Sequence, residues 1–380
     1  MKSNIYKKKI SRIIRSLVAI DSTGEIRKYL GFRQKKKSQE LINYYNSIEL
    51  PPVIIRFPSE ISKPIVGIVA DDIIYYANFI KYCDTNSIDY RIVDIHKSSF
   101  IKELEGIDIL IWRTPSSYAS QWEATDKIEF ISDYLGKMTL PTKESLWFYE
   151  DKVREQWLFD HFNLPSIKTF ISYSEEEALE YIKTAKFPLI LKDRTCSSSE
   201  GVLLIKNLHQ AKRICKKIFL DGRKVFEPYV RQKNYVLFQE YVPNEGFDLR
   251  VIMVGNSYFG YYRYPKGNDY RASGSGIVKK KSIPIEVLKL AKQVKCCLPK
   301  SYLLAVDFLQ DSRDKKYYII ESSIFISIET PEQLVVDGKP GRYIEKDDAF
   351  VFEDGRYWLP ELMMDELMKD WIGKECEKNL

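Results

Sequence analysis

The chain has 380 residues, of which 44% are hydrophobic and 29% are charged, so its composition is that of a globular protein with room for two or three domains. Six cysteines and three histidines lie at scattered spacings without a C-x-x-C pair, which argues against a disulfide framework or a zinc site. No apolar stretch is long enough to span a bilayer and no secretory signal is evident, so we expect a cytoplasmic protein.

The net charge of +6 is concentrated in the N-terminal extension. Residues 1–50 contain twelve Lys or Arg against four Asp or Glu, so the remainder carries a net charge of −2. Apolar residues recur at helical spacing from Ile10 to Val18 among lysines and arginines, which predicts a basic amphipathic helix. We favour a helix packed on the protein body; the alternative is weak contact with an anionic membrane, peripheral on its inner face. The basic residues lack a nucleic-acid-binding motif, so we expect no nucleic-acid partner.

Prolines between Pro51 and Pro64 separate this extension from a segment in which strands and helices alternate. Alternation of this kind predicts a parallel sheet. We expect strands at residues 65–70, 90–95 and 107–112, and helices at 73–86, 98–105, 120–135 and, as one long amphipathic helix, 145–162.

Beyond residue 166 the pattern changes to shorter strands with a few helices. The predicted strands are 167–171, 188–193 and 202–205, and the predicted helices are 174–184, 208–219 and 285–297. Three further segments are dense in β-branched and aromatic residues, and we expect them to form one antiparallel sheet: 235–242, 249–254 and 258–263.

Two carboxylates each follow an apolar, strand-like run, Asp307 in Leu-Ala-Val-Asp-Phe and Glu321 in Tyr-Ile-Ile-Glu-Ser. If the two strands are neighbours, both carboxylates face one cleft. Mg²⁺ is commonly bound by one or two carboxylates together with substrate phosphate oxygens. The pair therefore predicts nucleotide chemistry.

A second motif, Asp248-Leu249-Arg250, lies on a predicted strand. Residues two apart on a strand point to the same face, so Asp248 and Arg250 should enter the cleft together. A guanidinium group can bind a phosphoryl group in bidentate fashion. Arg250 is therefore a candidate for stabilising transferred phosphate.

The order of these segments resembles the ATP-grasp superfamily, and within it the glutamate-ligase-like branch of carboxylate-amine and carboxylate-thiol ligases. The resemblance covers roughly residues 63–335 and implies an α/β fold that becomes α+β in its C-terminal part, with ATP held between two α+β subdomains. The implied division is an extension and linker, a parallel pre-ATP-grasp domain, a small subdomain with a phosphate loop, and a large subdomain with the metal site and a C-terminal helix: 1–62, 63–150, 151–235 and 236–380.

The resemblance implies which residues bind the nucleotide. Lys152 and Lys192 stand where family members place lysines against the phosphates, and residues 194–201 resemble the phosphate-covering loop, with Ser198, Ser199 and Gly201 as its small residues. Residues 236–242 resemble the connector that presents its backbone to adenine. The remaining candidates are Gln239, Glu240, Tyr241 and Val242 at the base, Glu245 at the ribose, and Asp248 in the cleft.

The resemblance also implies two catalytic arginines, Arg250 and Arg271, the second in a glycine-bearing turn at residues 268–276. Asp307, Glu321 and Ser323 are the implied metal ligands. Family members usually carry E-x-N, and here Ser323 replaces the asparagine, so we expect a more weakly held second metal. The residues after Arg271 also depart from the family pattern, so the acceptor preference does not carry over.

The implied activity is that of an ATP-dependent ligase using Mg²⁺ or Mn²⁺, which forms an amide or thioester through an acyl phosphate and releases ADP and phosphate. Its substrates would be small-molecule, peptide or glycan carboxylates and amines. Two alternatives remain open: a kinase of the same fold acting on a hydroxyl, and a protein that binds nucleotide without turnover, which the serine at position 323 suggests. The sequence does not indicate the oligomeric state.

Overall fold

The computed structural model describes residues 43–44, 47–70, 73–195, 201–225, 230–265 and 277–378. Among these residues, no helix is both long enough and apolar enough to cross a membrane.

The N-terminal part is a parallel sheet with helices between its strands, as the alternating pattern predicts. Its strands run in the order β2-β1-β3-β4, and all three pairings are parallel. β1 and β3 are buried along their whole length, as expected for strands covered on both faces. The elements are β1 (Val66–Val69), α1 (Ile73–Asn86), β2 (Tyr90–Val93), α2 (Phe100–Glu103), β3 (Ile109–Ile111), α3 (Tyr118–Asp133) and β4 (Met138–Leu140).

The single helix predicted over residues 145–162 is wrong, because the chain forms two helices there, α4 (Lys143–Phe148) and α5 (Lys152–His161). Glu150 adopts a left-handed backbone conformation with φ of 55°, which a continuous helix cannot contain. Asp151 then caps α5, its side chain accepting from the backbone N–H groups of Val153 and Arg154. The break makes Lys152 the first residue of α5.

The next part is a four-stranded antiparallel sheet, β5-β10-β6-β7, with two helices that form a separate apolar core with it. The elements are β5 (Thr169–Ser172), α6 (Glu175–Thr184), β6 (Leu189–Leu191), β7 (Leu203–Ile205), α7 (Leu208–Leu220), the short pair β8 (Arg223–Lys224) and β9 (Arg231–Gln232), and β10 (Val236–Glu240).

The expectation that residues 235–242 pair with 249–263 is wrong. β10 lies between β5 and β6, antiparallel to both, and so belongs to the smaller sheet. The chain leaves β10 at Glu240 and passes Pro243 before the next strand begins. Strand-forming composition does not identify a strand's partners, which explains the error.

The largest sheet has the order β15-β14-β11-β12-β17-β16, with β13 on β12 and β18 on β17. The elements are β11 (Asn244–Val254), β12 (Ser257–Tyr264), β13 (Ile277–Lys279), α8 (Ile285–Cys297), β14 (Leu304–Asp311), β15 (Tyr317–Ser323), β16 (Val335–Val336), β17 (Lys339–Lys346), β18 (Ala349–Asp354) and α9 (Leu359–Lys378).

One apolar core joins the N-terminal parallel sheet, the largest sheet and α9, whereas the four-stranded sheet has its own core. α9 is tied to the N-terminal part by hydrogen bonds from Trp371 Nε1 to the carbonyl of Ser62 at 3.0 Å and from the Tyr82 hydroxyl to Asp365 at 3.3 Å. The groove between the two cores is therefore bounded by β6 and β10 on one side and by β11, β14 and β15 on the other.

Candidate active site

A cleft of about 950 Å³, its open mouth included, lies in this groove. Its walls combine apolar side chains with charged ones, the usual make-up of a small-molecule site. Most of the predicted nucleotide and metal residues line it: Lys152, Lys192, Gln239, Glu240, Tyr241, Val242, Asp248, Asp307 and Glu321.

Asp307 and Glu321 lie directly opposite one another on β14 and β15, which confirms the prediction of adjacent strands. The register shifts between Asp307 and Phe308, so Ile320 is an extra residue on β15. Because of this bulge, Ile320 and Glu321 both line the cleft although they are neighbours in sequence. On its other side, Asp307 pairs with Arg250 of β11.

Two arginines bind the Asp307 carboxylate. Arg250 donates from Nε to Oδ1 at 2.7 Å and from Nη2 to Oδ2 at 2.8 Å, while Arg263 donates from Nη2 to Oδ2 at 2.6 Å. Burial alone would raise the pKa of Asp307, but the two guanidinium groups outweigh it and lower that pKa to about 2. Asp307 is therefore a permanent anion at neutral pH.

Arg263 also donates from Nε to Asp248 Oδ1 at 2.5 Å, so it links both predicted cleft aspartates. Burial raises the pKa of Asp248 to about 6, against the opposing effect of Arg263. Sequence reasoning missed Arg263. The two-residue turn Gly255–Asn256 fixes the β11–β12 register and places Arg263 opposite Asp248, a signal that the sequence did contain.

Arg250 has a different position from the one expected. Among the described residues that line the cleft, Asp248 and Arg263 are present but Arg250 is not. The Arg250 guanidinium lies against Asp307, and Tyr261 and Glu321 also act on its charge. It therefore lies beside the carboxylate pair rather than among the groups that surround the nucleotide cleft.

The two predicted lysines approach Glu321 from different elements. Lys152 Nζ, at the start of α5, is 3.7 Å from Glu321 Oε2. Lys192 is buried, and burial lowers its pKa to about 8 even though the nearby Glu321 carboxylate opposes the shift. A buried amine whose charged form is stabilised by an added anion is well suited to bind phosphate.

Glu155, one turn after Lys152, is a second residue that sequence reasoning missed. It is buried, and its Oε1 accepts from the backbone N–H of Ser322 at 2.8 Å and from the Ser322 hydroxyl at 2.6 Å. Burial raises the pKa of Glu155 to about 8. It therefore fastens α5 to the strand that carries Glu321, and no local sequence signal marks this tertiary contact.

The predicted adenine connector lies along the apolar part of the cleft. The Gln239 side chain donates to Thr169 Oγ1 at 3.1 Å, and Glu240 forms a partly exposed ion pair with Lys168 at 3.6 Å. The neighbouring apolar wall consists of Ile167, Ile190, Val202, Leu309 and Ile320. Glu245, the predicted ribose residue, instead forms an ion pair with Lys315 and is not among the described residues that line the cleft.

The predicted phosphate loop is anchored at its first residue. Arg194 donates from Nε to Asp151 Oδ2 at 2.6 Å, and its carbonyl accepts from the backbone N–H of Lys152 at 3.0 Å. At the other end, the Gly201 carbonyl accepts from Arg223 at 3.1 Å. Ser198, Ser199 and Arg271 lie outside the described residues, so their roles stay predictions.

The two carboxylates fit an Mg²⁺ ion by their chemistry. Glu321 keeps 28% of its side chain exposed, and Asp307 Oδ1 accepts one hydrogen bond and retains a lone pair. In the described part of the chain, no three His, Cys, Asp or Glu side chains converge to form a protein-only cage, so phosphate and water would complete the shell. Ser323 donates from Oγ to the carbonyl of Phe325 at 2.7 Å, and its part in a second metal site stays a prediction.

Comparison with known proteins agrees with this geometry. Residues 149–333 match the family model described as the RimK-like ATP-grasp domain. The resemblance to the ATP-grasp superfamily is thus confirmed over residues 149–333. The matched residues include Lys152, Lys192, Asp248, Asp307 and Glu321, which line the cleft, and Arg250, which lies beside the carboxylate pair.

Curated relatives of the ATP-grasp domain match about half of this chain. A glutamate–LysW ligase, ArgX, of Sulfurisphaera tokodaii is 25% identical over 196 residues, which cover 51% of this chain and 65% of that protein. An α-aminoadipate–LysW ligase, LysX, of Saccharolobus solfataricus is 24% identical over 197 residues, which cover 50% and 67%.

Solved structures share the fold at low sequence identity. D-alanine–D-alanine ligase of Bacillus anthracis superposes with a TM-score of 0.51 at 14% identity, covering 70% of this chain and 87% of that one. N5-carboxyaminoimidazole synthase of Aspergillus clavatus, solved with ADP, gives 0.50 at 10% identity, covering 82% and 99%. The ATP-grasp architecture with its parallel N-terminal domain is thus the fold of this chain.

Proposed function

We propose that this chain is an ATP- and Mg²⁺-dependent ligase that converts a carboxylate to an acyl phosphate and transfers the acyl group to an amine, releasing ADP and phosphate. The observation that carries the proposal is the pairing of Asp307 and Glu321 in a cleft that also holds Lys152 and Lys192. Catalysis of phosphoryl transfer depends on positioning and on charge stabilisation, which this set supplies. The curated relatives, which are named as glutamate–LysW and α-aminoadipate–LysW ligases, support the same reaction class.

In this proposal, Lys152 and Lys192 bind phosphate oxygens, and the backbone of residues 239–242 binds the base between the apolar walls of the cleft. Arg250 lies beside the carboxylate pair, where it would stabilise charge that develops on the reacting groups. Asp307 and Glu321 would hold Mg²⁺, which neutralises phosphate charge when it is bound. The acyl acceptor would approach from the side of the N-terminal parallel domain.

We also propose a domain division that changes one boundary of the one implied by the sequence. The units are 63–150, 151–240 and 241–380, because β10 joins the sheet of the small subdomain. The basic extension over residues 1–50 falls mainly outside the described residues. A membrane contact there stays a prediction, to be tested by sedimenting the full chain and a chain lacking residues 1–50 with anionic vesicles.

The proposal is tested by measuring ADP release from ATP with the purified full chain. The carboxylate panel would contain L-glutamate, L-2-aminoadipate, peptides ending in glutamate and sugar acids, each with and without hydroxylamine. We expect ADP release to require a carboxylate and hydroxylamine to trap the acyl group as a hydroxamate. The Glu321→Gln variant should lose ADP release, whereas Glu329→Gln, a change at an exposed residue after the same strand, should not.

Two outcomes would contradict the ligase proposal. ADP release with a polyol panel and without a carboxylate would indicate a kinase. ATP binding with Mg²⁺ but no ADP release with any acceptor would indicate a nucleotide-binding protein without turnover.

A further inference from the structure

Glu155 is a buried acidic residue, 3% exposed, and it is absent from the described residues that line the nucleotide cleft. Burying a carboxyl group is costly unless hydrogen bonds replace those it made with water. Glu155 makes such bonds with Ser322, which is itself only 7% exposed. What Ser322 is attached to therefore indicates what Glu155 does.

The Glu155 side chain holds the peptide group next to the predicted metal ligand Glu321. Its Oε1 accepts from the backbone N–H of Ser322 at 2.8 Å and from the Ser322 hydroxyl at 2.6 Å. That N–H belongs to the peptide group between Glu321 and Ser322, and a peptide group is planar. Fixing this plane fixes the backbone of Glu321, on which the allowed rotamers of the Glu321 side chain depend.

The sheet alone secures this part of β15 poorly. Ile320 is the extra residue of a bulge, and a bulge interrupts the ladder of hydrogen bonds to the neighbouring strand. β15 is also the outermost strand in the order of the largest sheet. Its outer side is bound at Ile319 by residues 165–167, with hydrogen bonds of 2.9 and 3.1 Å, and at Ser322 by Glu155. Glu155 thus supplies a constraint that the bulge removes from the other side.

The same turn of α5 carries the lysine that approaches Glu321. Lys152 lies three residues before Glu155, a spacing that makes two residues neighbours on a helix surface. The Lys152 Nζ is 3.7 Å from Glu321 Oε2, and its backbone N–H donates to the carbonyl of Arg194 at 3.0 Å. One helical turn therefore sets the distance between the predicted phosphate lysine and the predicted metal carboxylate.

We infer that Glu155 is a positioning residue for the metal-bound nucleotide: by holding the Glu321–Ser322 peptide it orients the Glu321 carboxylate for Mg²⁺ and keeps it in place beside Lys152. The inference rests on the Mg²⁺ site of the proposed function and adds a residue to it. Partners that orient metal ligands typically change metal affinity or activity 10- to 100-fold when they are mutated. Because phosphate oxygens would complete the shell of the ion, we expect the effect in the affinity for ADP with Mg²⁺.

The experiment measures ADP binding and does not depend on turnover. Wild type, Glu155→Met and Glu155→Gln are titrated with ADP by calorimetry, once with Mg²⁺ and once with EDTA. We expect Glu155→Met to lose about 10-fold of the affinity that Mg²⁺ adds in wild type and to keep the wild-type Kd in EDTA. Glu155→Gln retains an oxygen that can accept both hydrogen bonds, so it should bind ADP like wild type in both solutions.

The matched control for a merely structural effect is Gln156→Met. Gln156 is the next residue of α5, is 5% exposed, and donates to Asp160 at 2.7 Å and to Ser166 at 3.0 Å. Neither bond involves the Glu321–Ser322 peptide. We expect Gln156→Met to lower the thermal midpoint as Glu155→Met does, but to keep the full gain in ADP affinity from Mg²⁺.

Ser322→Ala tests the same contact in case Glu155→Met does not fold. It removes the hydroxyl donor and leaves the peptide N–H bound to Glu155. We expect a smaller loss of Mg²⁺-dependent ADP affinity, about 3-fold, the size of one hydrogen bond, and an unchanged Kd in EDTA.

Several results would overturn the positioning role of Glu155. These are a wild-type gain from Mg²⁺ in Glu155→Met or, if that variant does not fold, in Ser322→Ala; a loss in Gln156→Met as large as that in Glu155→Met; and binding by Glu155→Gln as weak as that by Glu155→Met. Equal ADP affinity of wild type with Mg²⁺ and with EDTA would refute the metal site and the inference together. Failure of the ligase reaction would look different, because ADP release would be absent with every carboxylate while the effect of Glu155 on ADP binding remained.

Discussion

Replacement of Arg263 by methionine tests whether the ion pairs of this residue with Asp248 and Asp307 stabilise the fold around the active site. Methionine preserves much of the apolar bulk of the side chain but removes the guanidinium group. The variant therefore loses the contacts of 2.5 Å to Asp248 and 2.6 Å to Asp307. Asp307 keeps the bidentate partner Arg250, so the unpaired charge that remains is mainly that of Asp248.

The expected cost follows from the burial of this pair. Arg263 is 8% exposed and Asp248 is 6% exposed, so solvent screens their interaction little. Removing one partner of a buried ion pair costs about 3–5 kcal/mol, and we expect about 3 kcal/mol because Arg250 still acts on Asp248. For a cooperatively unfolding domain of this size, a loss of about 3 kcal/mol lowers the thermal midpoint by roughly 6–12 °C.

The cost should also depend on pH. The pKa of Asp248 is already raised to about 6, and loss of Arg263 raises it further. A carboxyl whose folded-state pKa is raised favours folding at low pH, and that contribution is lost as the pH rises through the folded-state value. The destabilisation by Arg263→Met should therefore be larger at pH 7.5 than at pH 5, where Asp248 is protonated. Adding Asp248→Asn should recover on the order of 1 kcal/mol at pH 7.5.

Differential scanning calorimetry at both pH values measures these effects. The matched control is Arg356→Met, which breaks an exposed ion pair with Glu332 at 2.7 Å and should change stability by at most about 1 kcal/mol. The reasoning is refuted if Arg263→Met shifts the midpoint no more than Arg356→Met does, or if the shift is the same at pH 5 and pH 7.5.

Three further predictions concern single residues of the cleft. Burial raises the pKa of Glu155 to about 8, so its contribution to stability is present at low pH and is lost as the pH rises from about 5 to 8. In urea unfolding, the wild-type free energy of unfolding should fall by on the order of 1 kcal/mol per pH unit relative to that of Glu155→Gln. Parallel pH profiles of the two proteins would contradict this. Because the pKa of Lys192 is lowered to about 8, the protein should take up a proton when it binds ATP at pH 8.5. Calorimetry in buffers of different ionisation enthalpy measures this uptake, which should be absent in Lys192→Met. Equal uptake in that variant would assign the proton to another group. If position 323 contributes to a second metal site, Ser323→Asn should lower the Mg²⁺ concentration that gives half-maximal ADP release, and Ser323→Ala should leave it nearly unchanged. Identical Mg²⁺ curves for Ser323→Asn and wild type would show that position 323 has no such role.

Hydrophobic periodicity predicted the elements that bury one clear face. The helices at residues 73–86 and 285–297 were predicted with the bounds that the structure has, and alternation of strands with helices predicted the parallel sheet. Periodicity failed to predict the break within residues 145–162, where the apolar pattern is continuous. The chain leaves the helix there over three residues, since Tyr149 and Asp151 are extended and Glu150 is left-handed.

The candidate site was predictable to the extent that its residues lie on strands of known direction. Asp307 and Glu321 each follow an apolar run, so their common face could be inferred before their pairing was known. Glu155 contacts Ser322, 167 positions away, and no local pattern encodes such a contact. Arg263 was predictable in principle, because the two-residue turn of its hairpin sets the register that places Arg263 opposite Asp248.

The pairing of β14 and β15 also explains how one pair of strands can serve two substrates. Alternate residues on a strand are roughly 6.6 Å apart along it, so the shared face changes its surroundings within one step on either side of the carboxylates. One step along β14 from Asp307 leads to Leu309, which lines the apolar part of the nucleotide cleft. One step along β15 from Glu321 leads to Ser323, whose hydroxyl donates to the carbonyl of Phe325, and the Phe325 ring packs edge-on against Tyr149. In the proposed function, the carboxylate pair would therefore stand at the end of the nucleotide cleft, where the phosphoryl group passes from ATP to the substrate carboxylate.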